Sequence, residues 1–150
     1  MEEHAEALAE AVDRVLAAWV ERSVARIMEA YQGSVPADVR AAAVDAGQDA
    51  RSEVGGELRE LLERDIDDQR TNPLSVLRGA VRFPTAVLRV AGVPPVVRDD
   101  FKERAFPDDV YDLAPATWRD VDETLHEPGL VWGAWKAGEH LRRRRPKEQA

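Results

Sequence analysis

The sequence predicts an all-α protein: an N-terminal antiparallel helical hairpin packed against three shorter C-terminal helices, with a proline-rich connecting loop. Three observations predict it. Apolar residues recur every three to five positions through most of the chain, which is the pattern of one helix face. Glycine and proline fall between these periodic stretches, where they stop or start helices. No stretch alternates apolar and polar residues as a half-buried strand does, and the valines around Val96-Val97 can pair weakly at most.

The first helix is expected from about Glu3 to Gln32, with Leu8, Val12, Val15, Trp19, Val24, Ile27 and Tyr31 as its apolar stripe. The stripe slips in phase near Trp19-Val20, which fits a globular bundle better than an extended coiled coil. Gly33 supplies the stop, and Pro36 suits the first turn of the next helix. That second helix is expected from about Pro36 to Asp68, with Val39, Ala43, Ala46, Ala50, Val54, Leu58, Leu61, Leu62 and Ile66 on one face. Its alanine-lined first half permits close approach of the first helix. Gly47, and above all Gly55-Gly56, weaken a helix interior, so the pair is expected to mark a kink or break. Glu60 and Arg64 form a favourable i,i+4 pair beyond it.

Asn72-Pro73 is a helix start, an N-cap residue followed by proline, and opens a segment to Ala91 that Pro84 should kink or end early. Gly92-Val93-Pro94-Pro95 stops it. Residues 96–114 read as irregular chain with at most one helical turn near Asp100 to Ala105, pinned to the body by Phe101, Phe106, Tyr111 and Leu113. Two further helices are expected at Pro115 to about His126 and Pro128 to about Arg145, the second presenting Leu130, Trp132, Trp135 and Leu141. Residues 1–150 are expected to form one domain, with 1–70 the hairpin, 71–145 the C-terminal part and 146–150 a frayed tail.

Composition narrows the chemistry. With 44% hydrophobic and 33% charged residues the chain has the material for a core and a strongly charged surface. No apolar run approaches the roughly 18 residues of a spanning helix, and the acidic start Met-Glu-Glu-His-Ala-Glu does not resemble a secretory signal, so a cytoplasmic location is expected. The absence of cysteine excludes disulfides, thiolate catalysis and cysteine-ligated metal centres. Arginine outnumbers lysine 18 to 3, a bias read as that of a GC-rich bacterial genome. The net charge of -8 is segregated: -9 over 1–70, +4 over 71–98, -7 over 99–128 and +4 over 129–150. Such blocks either face each other within the fold or expose a docking surface.

No phosphate loop, dinucleotide fingerprint, zinc-protease, nucleophile-elbow or calcium-loop motif is present. Glu123-x-x-His126 has the spacing of a di-iron bundle motif, but two copies and two further glutamates are needed and there is one copy, so His126 reads as a helix-end residue. The pairs Asp67-Asp68, Asp99-Asp100 and Asp108-Asp109 read as turn formers, although the aromatic neighbours of Asp108 and Asp109 could shape a pocket. No cofactor and no metal is expected.

Two basic blocks remain as candidate partner-binding residues. In the acid-free segment Arg78, Arg82 and Arg89, at spacings of four and seven, share one face of the kinked helix, and Arg142, Arg143, Arg144 and Arg145 end the last one after Trp132 and Trp135. Amphipathic helices, segregated charge and missing catalytic motifs together point to a non-enzymatic cytoplasmic adaptor that binds an acidic protein surface. The alternatives are a peripheral regulator that touches nucleic acid or anionic lipid through the C-terminal segment, and an enzyme or small-ligand bundle built on Glu123, His126 and the Asp108-Asp109 loop.

Overall fold

The protein is all-α in the computed structural model, which describes residues 2–64, 72–96 and 109–144. Expectations that fall on Ile66, Asp67-Asp68, the turn near 100–105, Asp99-Asp100, Phe101, Phe106, Asp108, Arg145 and the tail 146–150 lie outside the described residues.

Helix α1 spans Glu3–Gln32. Glu2 caps it by accepting hydrogen bonds from the backbone N–H groups of His4 and Ala5 at 2.9 and 3.0 Å, and Glu3 and Glu6 add negative charge to its first turn. Gly33 ends it in the left-handed conformation at φ 79°. Its buried face is Leu8, Val12, Leu16, Trp19, Val20, Val24 and Met28. Val15 and Ile27, expected in that stripe, lie at its half-buried edge, and Tyr31 is 51% exposed.

Helix α2 spans Ala37–Glu63 and returns antiparallel along α1. It runs unbroken through Gly47 and through Gly55-Gly56, the pair at which the sequence predicts a kink or break. Two of these glycines make room for α1. A Cβ at Gly47 would stand 2.9 Å from the Ala17 carbonyl oxygen, and one at Gly55 would stand 2.9 Å from Asp13 Oδ1. The space at Gly55 admits the Asp13 carboxylate, which forms an ion pair with Arg59 one turn further along α2. Close packing of the two backbones thus outweighs the weak helix propensity of glycine.

The expected helix 73–91 is two helices, α3 over Pro73–Gly79 and α4 over Arg82–Val90. Asn72 caps α3 through the Leu74 N–H at 2.9 Å. Pro84 explains the break: its ring would collide with the carbonyl of Ala80, four residues earlier, in a continuous helix. The chain instead makes tighter bonds at Ala80-Val81, with Phe83 N–H donating to the Ala80 carbonyl, and Pro84 falls in the first turn of α4, where no N–H is needed. Gly92, at φ 80°, and Val93 close α4 by donating to Arg89 and Leu88.

Residues 109–117 form an ordered strap. The Asp109 carboxylate accepts from the N–H groups of Leu113 and Ala114, Tyr111 donates its hydroxyl hydrogen to the Val93 carbonyl at 2.7 Å, and Val96 N–H donates to the Val110 carbonyl. Helix α5 is only Trp118–Val121, shorter than the expected 115–126. Asp120 reaches back to the N–H groups of Ala116 and Thr117 and so delays the start, while Asp122 is extended and ends it. Asp122 then caps a 3-10 turn, Glu123–Leu125, and α6 follows over His126–Arg144. His126 therefore opens α6 and does not close the preceding helix.

The buried apolar side chains form one cluster, with Leu16 and Val20 of α1, Val54 and Leu58 of α2, Leu77, Leu88, Tyr111, Leu125 and Trp132 among its members. α6 lies against α1, with Trp132 buried in this cluster and Trp135 packed against it, 6.4 Å from the His4 ring.

Candidate functional site

The break between α3 and α4 separates Arg78 from Arg82 and Arg89, which share α4. Arg78 Nε donates to the Pro115 carbonyl at 3.0 Å and its guanidinium to the Ala116 carbonyl at 3.3 Å, which ties α3 to the strap. Arg82 turns towards α2, 3.0 Å from Glu57 and 3.6 Å from Glu53, with its guanidinium 4.7 Å above the Phe83 ring. Arg89 is exposed at the end of α4. Burial raises the Tyr111 phenol above its ordinary value, and the charge of Arg89 opposes that rise. Acids of α2 thus face the basic block at Arg82, and Arg78 holds backbone carbonyls.

Of the carboxylates singled out in the sequence, Asp109 has a structural role. Asp109 is buried and fully occupied by two backbone donors. Glu123 is exposed in the 3-10 turn and His126 half-buried one residue beyond it. Among the described residues no group of three or more His, Asp or Glu side chains is placed to hold a metal ion.

The last helix carries the feature that the sequence reading missed. Leu130 and Leu141, expected to share the apolar face of Trp132 and Trp135, point away from it. Two residues along an α-helix is a turn of about 200°, so Leu130 and Trp132 occupy opposite sides. Trp132 is 5% exposed, while Leu130, Val131 and Leu141 are 55, 40 and 68% exposed. Ala134, Ala137 and Gly138 are exposed between them, and no atom lies within 4 Å of where a Cβ at Gly133 or Gly138 would stand. The spacing of four, three and four from Leu130 through Ala134 and Ala137 to Leu141 is readable in the sequence. What hid it was the presence of a second apolar face on the same helix.

Beside this face lies a groove of about 440 Å³, lined by Asn72, Pro73, Trp118, Gly129, Leu130, Trp132, Gly133, Ala134 and Lys136. Gly129 is required there, since a Cβ would come within 2.5 Å of the Trp118 ring. The Lys136 ammonium sits 5.0 Å from the centroid of the Trp132 ring, and burial holds it below its ordinary pKa. At the end of the face Arg142 pairs with Glu139, and Arg142 and Arg143 are exposed. Arg144 closes the helix.

A second concavity, about 580 Å³, lies between α1 and the strap, with Trp19, Ser23, Leu113, Ala114 and Pro115 in its walls and Arg22, Arg26, Glu29, Asp112 and Asp120 around it. Arg22 donates to the Val121 carbonyl at 2.9 Å and lies 3.7 Å from Asp122, so it braces α1 against α5. Asp120 is likewise engaged, in the α5 cap. Arg22 and Asp120 of this cleft thus serve the fold, whereas the α6 face has apolar side chains directed at solvent.

Among the described residues no helix is long and apolar enough to cross a membrane. Comparison with known protein families, with characterised proteins and with solved structures finds no match to this chain.

Proposed function

We propose that this chain is a non-enzymatic interaction or adaptor protein of the bacterial cytoplasm that docks a protein partner through the outer face of α6. The observation that carries this reading is the row Leu130, Ala134, Ala137 and Leu141, exposed along about three turns of a helix whose other side is already packed. Single exposed leucines are ordinary, but a continuous apolar row on one helix leaves hydrophobic area in water that a partner would cover. The small central residues admit a partner helix at close range. The arginine-rich, cysteine-free composition supports the cytoplasmic and bacterial parts of the reading.

Docking through Arg78 and Arg82 has less support, because both are engaged within the fold. The reading of α6 as an anchor for anionic lipid or nucleic acid also has less support: Trp132 is buried, and Trp135 is half-buried with its ring beside His4. The test is capture of protein partners from the native cell with the wild type and with Leu130→Glu/Leu141→Glu. The variant should keep its helical circular dichroism and lose the partner. Retention of every wild-type partner by the folded variant would overturn the assignment of α6.

A further inference from the structure

We infer that the partner which covers the α6 face is a second copy of this chain, its α6 lying antiparallel across a two-fold axis. The inference rests on the reading of α6 as the docking surface and adds the identity of the occupant. A two-fold interface must be self-complementary: each residue meets its mirror position from the other end of the helix. The exposed row has that property. Its order is large, small, small, large with spacings of four, three and four, the same from either end. Reversing the helix sets Leu130 against Leu141 of the partner subunit and Ala134 against Ala137 of the partner subunit. Gly133 and Gly138 exchange under the same operation, and both have open space above them.

Charge follows the same symmetry. Glu127 is exposed in the first turn of α6, and Arg142 is exposed in its last. An antiparallel pair brings each acidic start beside a basic end and opposes the two helix dipoles, whereas a parallel pair would stack like on like. Shape agrees as well. Leu130 and Ala134 form one wall of the 440 Å³ groove, so Leu141 of the partner subunit arrives at the mouth of a cavity that can receive it. The paired row is about 17 Å long at 1.5 Å per residue. That is short for a stable interface, so the dimer should be weak and concentration-dependent.

Sedimentation of the full chain over a concentration series reads the first part. The mass should rise from 16.7 kDa towards twice that value, and Leu130→Glu should hold it at the monomer. Orientation is read by disulfide trapping, for which the cysteine-free chain is a clean background. Mixed Leu130→Cys and Leu141→Cys proteins should cross-link under mild oxidation. Either alone should not, because like positions stand about 16 Å apart along an antiparallel pair, beyond the reach of a disulfide. Efficient cross-linking of either variant alone would overturn the antiparallel arrangement. A wild type that stays monomeric throughout, or a Leu130→Glu variant that still dimerises, would overturn the second copy as occupant. In the monomeric case a different protein captured by the wild type and lost by the α6 variant would leave the docking face itself standing.

Discussion

Replacing Gly47 and Gly56 by alanine in parallel isolates what holds the hairpin together. Both lie inside α2, and alanine should gain about 0.8–1.0 kcal/mol of helix propensity at either position. At Gly56 nothing lies within 4 Å of the new Cβ, so that gain should appear in full. At Gly47 the Cβ would stand 2.9 Å from the Ala17 carbonyl oxygen and 3.2 Å from its Cα, both backbone atoms that cannot rotate away. Relief requires α1 and α2 to separate, and overpacking of this kind costs roughly 1–3 kcal/mol. The two variants should therefore differ by about 1–3 kcal/mol, with Gly47→Ala neutral to destabilised by about 2 kcal/mol. For a chain of this length each kcal/mol moves Tm by roughly 2–4 °C, so Gly56→Ala should melt a few degrees above the wild type and Gly47→Ala at or below it. Urea unfolding followed by circular dichroism gives the free energies directly. If Gly47→Ala stabilises as much as Gly56→Ala, the close approach at Ala17 does not constrain the pair, and Gly47 acts as a simple weak point in the helix.

Two further predictions concern charge. Arg78→Glu should cost about 1–3 kcal/mol, because two strap carbonyls lose a charged donor. Arg82→Glu should cost at most about 1 kcal/mol, since Arg82, Glu53 and Glu57 are all largely solvent-exposed; equal effects in thermal melts would contradict the separation of the two residues. The third concerns pH. The hydroxyl of Thr124, then its N–H, holds the Asp122 carboxyl below its ordinary value, with Arg22 adding to the effect and burial opposing it. A depressed carboxyl stabilises the fold above its unfolded value, near pH 3.9, and that stabilisation is lost as pH falls through the lower folded value. Asp122→Asn should accordingly be less stable than the wild type at pH 6, with the gap closing in acid. A gap in Tm that stays constant from pH 6 down to about pH 2 would contradict the assignment.

The helical class and the hairpin were legible because periodicity and helix stops are local properties. Gly33, Asn72-Pro73 and Gly92 act at the positions the sequence assigns to them. Elements whose form depends on a contact across the fold were not legible. The helix does not break at Gly55-Gly56, where a kink or break is expected, since the space beside Gly55 belongs to Asp13 of another helix. The interruption by Pro84 was legible, but the parting of Arg78 from Arg82 depends on distant partners, the strap carbonyls for Arg78 and Glu57 of α2 for Arg82.

The candidate site divides in the same way. By itself the sequence determined that α6 carries apolar residues in two phases, Trp132 and Trp135 in one and Leu130, Ala134, Ala137 and Leu141 in the other. Both phases are equally apolar to a local reading, and either could have been the buried one. The tertiary structure decided between them. The tryptophan phase meets the core and the N-terminal part of α1, where the large rings bury the most surface, and the leucine–alanine phase is left to solvent. Local periodicity states which residues can share a face; only packing against the rest of the chain states which face is already covered, because burial is a property of the neighbours and not of the helix.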